Sequence, residues 1–236
     1  MHATSRILAV TQWLNRDHID GTKSTTPCDR GGTMSFFASK PPRSRLLDLP
    51  AEIREHIFTF AVVPDKRTMV TFCLDKFQKE SYAEASQPPI TRVSRQVRSE
   101  SIPLFYECNE FVVHTDDQKA EDAQRWLQHN RAHLSKIRHL ALWVRFHPGL
   151  GSIAPPRGVI GVYLSHDART GCWAVREYWR WITVVRKPAM VEQDGQMLIE
   201  SLNKLVDGRP RRGFTAEDYV ALIQDLRTAY LKDKRT

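Results

Sequence analysis

No apolar run in this chain approaches the roughly 18–20 residues needed to cross a bilayer as a helix, so no transmembrane helix is expected. Cysteine is scarce, with 4 in 236 residues at Cys28, Cys73, Cys108 and Cys172. They lie far apart and form no CxxC pair, which argues against a disulfide framework and against a zinc site. Reduced thiols in a cytoplasmic or nuclear protein are the expectation. The apolar stretch at 7–10 is short and is followed by polar residues rather than a small-residue cleavage site, so a secretory signal is not expected. Also missing are GxSxG, HExxH, GxGxxG and a glycine-rich phosphate loop. No nucleophile–base pair can be named, and neither an enzyme nor a cofactor is expected. His129 and His133 stand at i, i+4 spacing, but the glutamate base of a metalloprotease helix and a third ligand are lacking, so an exposed polar helix face is expected there instead.

What is present is ordinary for a globular chain: 41% hydrophobic and 26% charged residues. The net charge is +8, unevenly spread. Residues 1–45 hold 7 Lys and Arg against 3 Asp and Glu, and the remaining 191 hold 28 against 24. The folded part is therefore only mildly basic, with no long cationic stripe, and nucleic acid is the weaker alternative as a partner. Residues 1–44, with Thr-Lys-Ser-Thr-Thr-Pro at 22–27 and Lys-Pro-Pro-Arg at 40–43, read as a disordered tail that cannot bury enough apolar surface to offset chain entropy. Met34 is a candidate true start within it. A single α+β domain is expected over 45–232.

Within that domain, LLDLPAEIREHIFTF at 46–60 is the best-defined helix start, with Pro50 in the first turn and Ile53, Ile57, Phe60 and Ala61 at 3-and-4 spacing. A strand is expected over 68–74 and a loop over 77–87. A helix over 90–106 is expected to kink or divide at Pro103. Strands follow at 110–115 and 137–144, with a helix between them capped by Asp116 or Asp117. Residues 147–158 hold three Gly and three Pro and read as a loop. Residues 159–164 and 172–185 suggest a hairpin or meander, although the second of these could also be helical. Helices at 190–206 and 215–231 close the chain, the last opened by Thr215 and Asp218 in a capping-box pattern. The expected fold is a small antiparallel sheet flanked by the N-terminal and the C-terminal helices.

Trp173, Trp179 and Trp181 crowd together with Tyr178, interleaved with Arg176 and Arg180. Aromatic residues and arginine are the favoured anchors of protein interfaces, and the same mixture can stack on single-stranded nucleic acid. Alternatively the tryptophans fill a sheet core while the arginines face water. Arg209, Arg211 and Arg212 form a short basic connector.

Two segments together carry a more specific pattern. The first is LDLPAEIREHIF at 47–58, the second ITRVSRQVRSE at 90–100, continuing through PLFYECNEF at 103–111. Their order and spacing resemble the filamentous-fungal F-box-like proteins, including the double-EXR relatives. The resemblance covers about residues 46–145. It implies a non-enzymatic adaptor, a substrate receptor of an SCF-type ubiquitin ligase, that binds the ligase's linker subunit and a target protein. By this resemblance Leu49, Pro50, Ile53, Ile57 and Phe58 are the linker-docking residues. Trp173, Arg176, Tyr178, Trp179 and Trp181 are the candidate target contacts. The residues alone leave open a second role for Leu49, Ile53 and Ile57, internal packing against Val93, Val97 and Phe105. A protein-interaction module without a ligase link remains the alternative.

Overall fold

The computed structural model describes residues 45–70, 82–148, 158–183, 186–209 and 213–234. The tail expected over 1–44, the start at Met34, Cys28, Cys73, Arg211 and Arg212 lie outside them. Two units are distinguished, residues 1–54 and 55–236. The described part of the first is a turn and the opening residues of helix α1, Ala51–Val62, of which residues 55–62 belong to the second unit. Arg54 Nη1 donates to the Leu49 carbonyl at 2.5 Å and lies 3.5 Å from that of Leu47, so this turn is tied to the helix start.

The second unit follows the order β1 (Arg67–Met69), β2 (Tyr82–Glu84), α2 (Arg95–Cys108), β3 (Glu110–His114), α3 (Asp117–His129), β4 (His139–Arg145), β5 (Val159–Asp167), β6 (Cys172–Trp181), α4 (Val191–Asp207) and α5 (Ala216–Asp233). Single 3-10 turns precede α2 and β4. The strands form one six-stranded sheet in the order β2-β1-β3-β4-β5-β6.

The chain is mixed α and β, with helices packed on the sheet. The sheet is not wholly antiparallel as expected: β2, β1, β3 and β4 run parallel, and only β4–β5 and β5–β6 are antiparallel. The cause is the connections. α2 lies between β1 and β3, and α3 between β3 and β4. A helical crossover returns the chain to the end where the previous strand began, so the next strand runs parallel.

Paired residues share a face, and the registers sort the side chains. On one face Phe111, Val113, Leu140, Leu142, Val144, Ile160, Val162 and Leu164 meet Ile102, Phe105 and Tyr106 of α2, Ala123 and Leu127 of α3, and the apolar sides of α4 and α5 in the main core. The other face carries a smaller cluster of Met69, Val112, Ala141, Trp143, Val159 and Tyr163.

Local chemistry explains the departures from expectation. α2 is not divided at Pro103; it runs unbroken through it, starting at Ser94, whose side chain accepts from the Val97 N–H at 3.1 Å. The carbonyl that Pro103 leaves without its helical N–H partner is that of Ser99, an exposed residue, so the missing bond falls where solvent has access. Buried Ile102, Phe105 and Tyr106 hold the second half in place. The interruption falls earlier, at Val93, where the 3-10 turn ends. β2 lies inside the stretch expected to be a loop; at three residues it is too short to show a period-2 pattern. Asp116 precedes α3 but makes no side-chain cap; its carboxylate pairs with Arg145 at 3.0 Å. The Thr215–Asp218 capping box forms as expected, with both reciprocal bonds. The segment left open between strand and helix is strand β6.

Asn109 shows what part of the 90–111 pattern does. Fully buried, its Nδ2 donates to the Phe105 carbonyl at 2.7 Å and to the Val62 carbonyl at 3.0 Å, and its Oδ1 accepts from Thr68 Oγ1 at 3.2 Å. One amide thus ties the ends of α1 and α2 to β1. Asn109→Ala leaves three buried polar groups without this partner. The expected loss is about 2–3 kcal/mol of stability, read as a shifted midpoint in urea unfolding with an unchanged slope.

Candidate partner-binding surfaces

On α1 the apolar residues do not behave alike. Ile53 is 50% and Phe60 67% exposed, whereas Phe58 is 0% exposed. Phe58 was expected among the linker-docking residues; its ring is enclosed and cannot reach a partner in this fold. Pro50 is exposed, and Leu49 and Ile57 are half-buried. Phe60 was not among the expected docking residues, though its signal was present: it lies seven positions, about two turns, from Ile53. Its ring is met edge-on by His56 at 5.0 Å. Val93, one of the expected internal packing partners, is 63% exposed, while Val97 and Phe105 are buried.

The rest of the 90–111 pattern divides in the same way. Arg95, Gln96 and Arg98 lie outside on α2; Gln96 bonds Glu100 and Arg98 bonds Gln87. Tyr106 is buried, donates to Asn130 Oδ1 at 2.6 Å and stacks on His133 at 5.1 Å. Burial, with the nearby cations Lys136 and Arg98, holds His133 below the usual imidazole range. Its ring is a packing element of this cluster. Among the described residues no group of three His, Cys, Asp or Glu side chains could hold a metal. Cys108 and Cys172 are free thiols. Partial burial and then the Glu107 and Glu55 carboxylates push the Cys108 thiol up, so it stays protonated at neutral pH.

Strand β6 divides the aromatic and arginine group by the period of two. The register sets Trp181 opposite Ile160, Trp179 opposite Val162 and Val175 opposite Leu164, all on the main-core face. Trp173 on that face is 8% exposed, stacked on Phe214 at 5.1 Å and met edge-on by Tyr219 at 6.2 Å. It is a core residue, which corrects the expectation that it contacts a target. Trp179 lies against Gly195 of α4, where an added Cβ would stand 2.3 Å from the indole. Trp181 covers Gly158 and meets Phe146 at 5.8 Å.

Residues of the other parity emerge on the opposite face. Gly161 faces Arg180 across the β5–β6 pair, and Ser165 faces Ala174. Tyr178 is 39% exposed. Arg176 Nη1 donates to its hydroxyl at 2.8 Å, and the Arg180 guanidinium lies 5.5 Å from its ring centre. The array continues inward: Tyr178 meets Tyr163 at 5.1 Å, Tyr163 accepts from Arg67 at 3.2 Å, and Arg67 pairs with Glu110 at 2.7 Å. Arg176 Nη2 lies 3.3 Å from His139 Nδ1. Burial and then Arg176 hold that imidazole below its usual range, so Nδ1 accepts. A register shift between Val162 and Leu164 sets one residue of β5, Tyr163, against three of β6, Arg176, Glu177 and Tyr178. Such a bulge re-aims side chains.

Beside β6 lies an open cleft of about 400 Å³, lined by Glu177, Tyr178, Trp179, Trp181, Lys187, Glu192 and Gln196. The Lys187 ammonium sits over the Trp179 ring and pairs with Glu192. Arg209, read from sequence as part of a basic connector, is engaged instead: it bonds the Asp218 carbonyl at 2.8 Å, pairs with Asp225 at 3.2 Å and lies over Phe214.

No family model, curated protein or solved structure matches the chain. Among the described residues no helix is long and apolar enough to cross a membrane.

Proposed function

We propose that this protein is a protein-interaction adaptor in which α1 docks a partner and the sheet unit presents a second, separate binding surface. The observation that carries this reading is the exposure of Ile53 and Phe60 on α1. Two large apolar side chains held in water about two turns apart are the anchors of helix-in-groove recognition. The resemblance at 47–58 and 90–111 names the partner: the linker subunit of an SCF-type ubiquitin ligase, with Leu49, Pro50, Ile53 and Ile57 joined by Phe60 in place of the enclosed Phe58. Such a receptor works by tethering, raising the effective concentration of a target beside the ligase.

The test is capture of the full-length chain by the purified linker subunit, compared with an Ile53→Asp/Phe60→Asp double variant. Both positions are water-exposed, so the variant keeps its circular dichroism spectrum. The parent is captured, and the variant binds at least about tenfold more weakly, because a carboxylate must be desolvated without a partner in the groove. A folded parent that is not captured removes the ligase link.

A further inference from the structure

We propose that the cleft beside β6 takes an arginine side chain of a partner protein, its guanidinium stacked on Trp179 and paired with Glu177. The inference rests on the adaptor reading and names the chemistry that its second surface recognises.

The cleft is a cation site in which one cation already stands. Lys187, on the segment between β6 and α4, holds its ammonium 5.3 Å from the centre of the Trp179 ring and pairs with Glu192. An ammonium over an indole is the favoured cation–π arrangement. The ring is fixed in place: Gly195 of α4 lies so close that an added Cβ would stand 2.3 Å from two of its atoms. A ring held by packing is preorganised, with little left to order when a guest arrives. The contact is nevertheless open to water, since the side chains of Lys187 and Glu192 are both exposed.

Charge argues that its own lysine does not complete the site. The lining holds two carboxylates, Glu177 and Glu192, against one cation, Lys187. Lys187 answers Glu192, and Glu177 has no cationic partner among the described residues. Arg176 and Arg180, its neighbours along the strand, are engaged with Tyr178. In a chain of net charge +8 the cleft thus keeps an uncompensated carboxylate beside an indole. Its volume of about 400 Å³ lies within the range of ligand pockets, roughly 300–1,000 Å³, and admits a long side chain beside Lys187.

The tether of Lys187 selects arginine over lysine. A guest ammonium competes for the ring with one held a few residues away, at an effective concentration of roughly millimolar, and offers nothing that Lys187 lacks. A guanidinium is planar, stacks on an aromatic face, is more weakly hydrated than an ammonium, and meets a carboxylate through two parallel hydrogen bonds. It covers Trp179 and engages Glu177 together, while Lys187 withdraws to Glu192. Acidic residues beside the guest arginine are disfavoured, because Glu177 and Glu192 repel them.

The test is two-dimensional NMR of the full-length chain during titration with the capped peptide Gly-Gly-Arg-Gly-Gly. The Trp179 indole N–H signal, assigned by its loss in Trp179→Phe, shifts saturably. A probe with citrulline, equal in shape but uncharged, and a probe with lysine each bind at least about fivefold more weakly. Glu177→Gln, at an exposed position, weakens the arginine probe about threefold. Lys187→Met strengthens it by a similar factor, because the tethered competitor is gone. Equal binding by the citrulline or the lysine probe would overturn the proposal. So would a Glu177→Gln variant that binds as the parent does, a Lys187→Met variant no tighter than the parent, or a folded chain whose indole signal does not move. Self-association of the chain that the probe displaces would make a second copy the occupant and overturn it as well. Linker capture through α1 is read independently. If it persists while the probe fails, this inference falls alone; if it is lost while the probe binds, the ligase link falls and the arginine site stands.

Discussion

Trp173→Ala lowers the unfolding free energy by about 3–5 kcal/mol, the usual cost of emptying a buried aromatic site. The ring is enclosed between Phe214 and Tyr219, with His166 at 5.1 Å, so its removal leaves a cavity where the β6 end meets the start of α5. Its indole N–H has no hydrogen-bond partner among the described residues, and the loss is therefore one of packing. For a domain of this size the melting temperature falls by about 10 °C or more. Tyr178→Ala, five residues along the same strand, costs only about 1 kcal/mol, because its ring is already partly in water. Thermal unfolding of the pair followed by circular dichroism measures the contrast. Equal effects would mean that β6 does not alternate as described.

Asp194→Ala is expected to cost about 3 kcal/mol. Asp194, in α4, is 3% exposed. Its Oδ2 accepts from the Tyr230 hydroxyl at 2.9 Å, its Oδ1 is paired with the Lys234 ammonium, and the Tyr230 oxygen also accepts from the His147 N–H at 3.0 Å. Burial pushes the Tyr230 phenol well above its usual range, so it stays protonated and donates. α4 and α5 meet on this carboxylate, and the segment after β4 joins them through the Tyr230 hydroxyl. Removing the carboxylate leaves the Lys234 ammonium, whose side chain is 9% exposed, without a counter-charge. Adding Lys234→Met to Asp194→Ala recovers about 1 kcal/mol or more, because a buried charge pair costs less replaced by apolar groups than halved. Urea unfolding of the single and double variants measures both values. A double variant no more stable than Asp194→Ala would place the cost in the Tyr230 bond.

The elements that were legible in the sequence were those whose signal is local. α5 announced itself through Thr215 and Asp218, and α1 through Pro50 and the 3-and-4 spacing of Ile53, Ile57 and Phe60. Strand direction was less so, although the alternation of strand, helix, strand, helix, strand over 67–145 implies parallel pairing by connection alone. The aromatic and arginine group is the instructive case. With 172–185 left open between strand and helix, no face could be assigned, and Trp173 stood beside Tyr178 as an equal. A period of two places them on opposite sides of the sheet. On α1 the spacing of Ile53, Ile57 and Phe60 pointed to one face, but nothing local said that Phe58 would be enclosed. That depends on what packs around the helix, which spacing does not encode. The 90–111 pattern mixes both kinds of residue: Tyr106 and Asn109 hold the fold, while Val93, Arg95 and Gln96 lie in water.

The parallel half of the sheet also bears on how the chain reaches this structure. The β5–β6 hairpin closes over four residues, 168–171, with Gly171 at φ 69° in the turn, and such hairpins form in microseconds. β1 finds its place beside β3 only after a much longer loop has closed; the Thr68–Asn109 bond spans 41 positions. The bonds from Tyr219 to Leu134 and from Arg227 to Thr115 span 85 and 112. Contacts this distant along the chain slow folding. During synthesis β3 and β4 leave the ribosome with α2 and α3, but β5 and β6 leave it before α4, the helix that packs on them, has been made. For that interval the nascent sheet is an open apolar surface, and its protection falls to chaperones rather than to its own sequence.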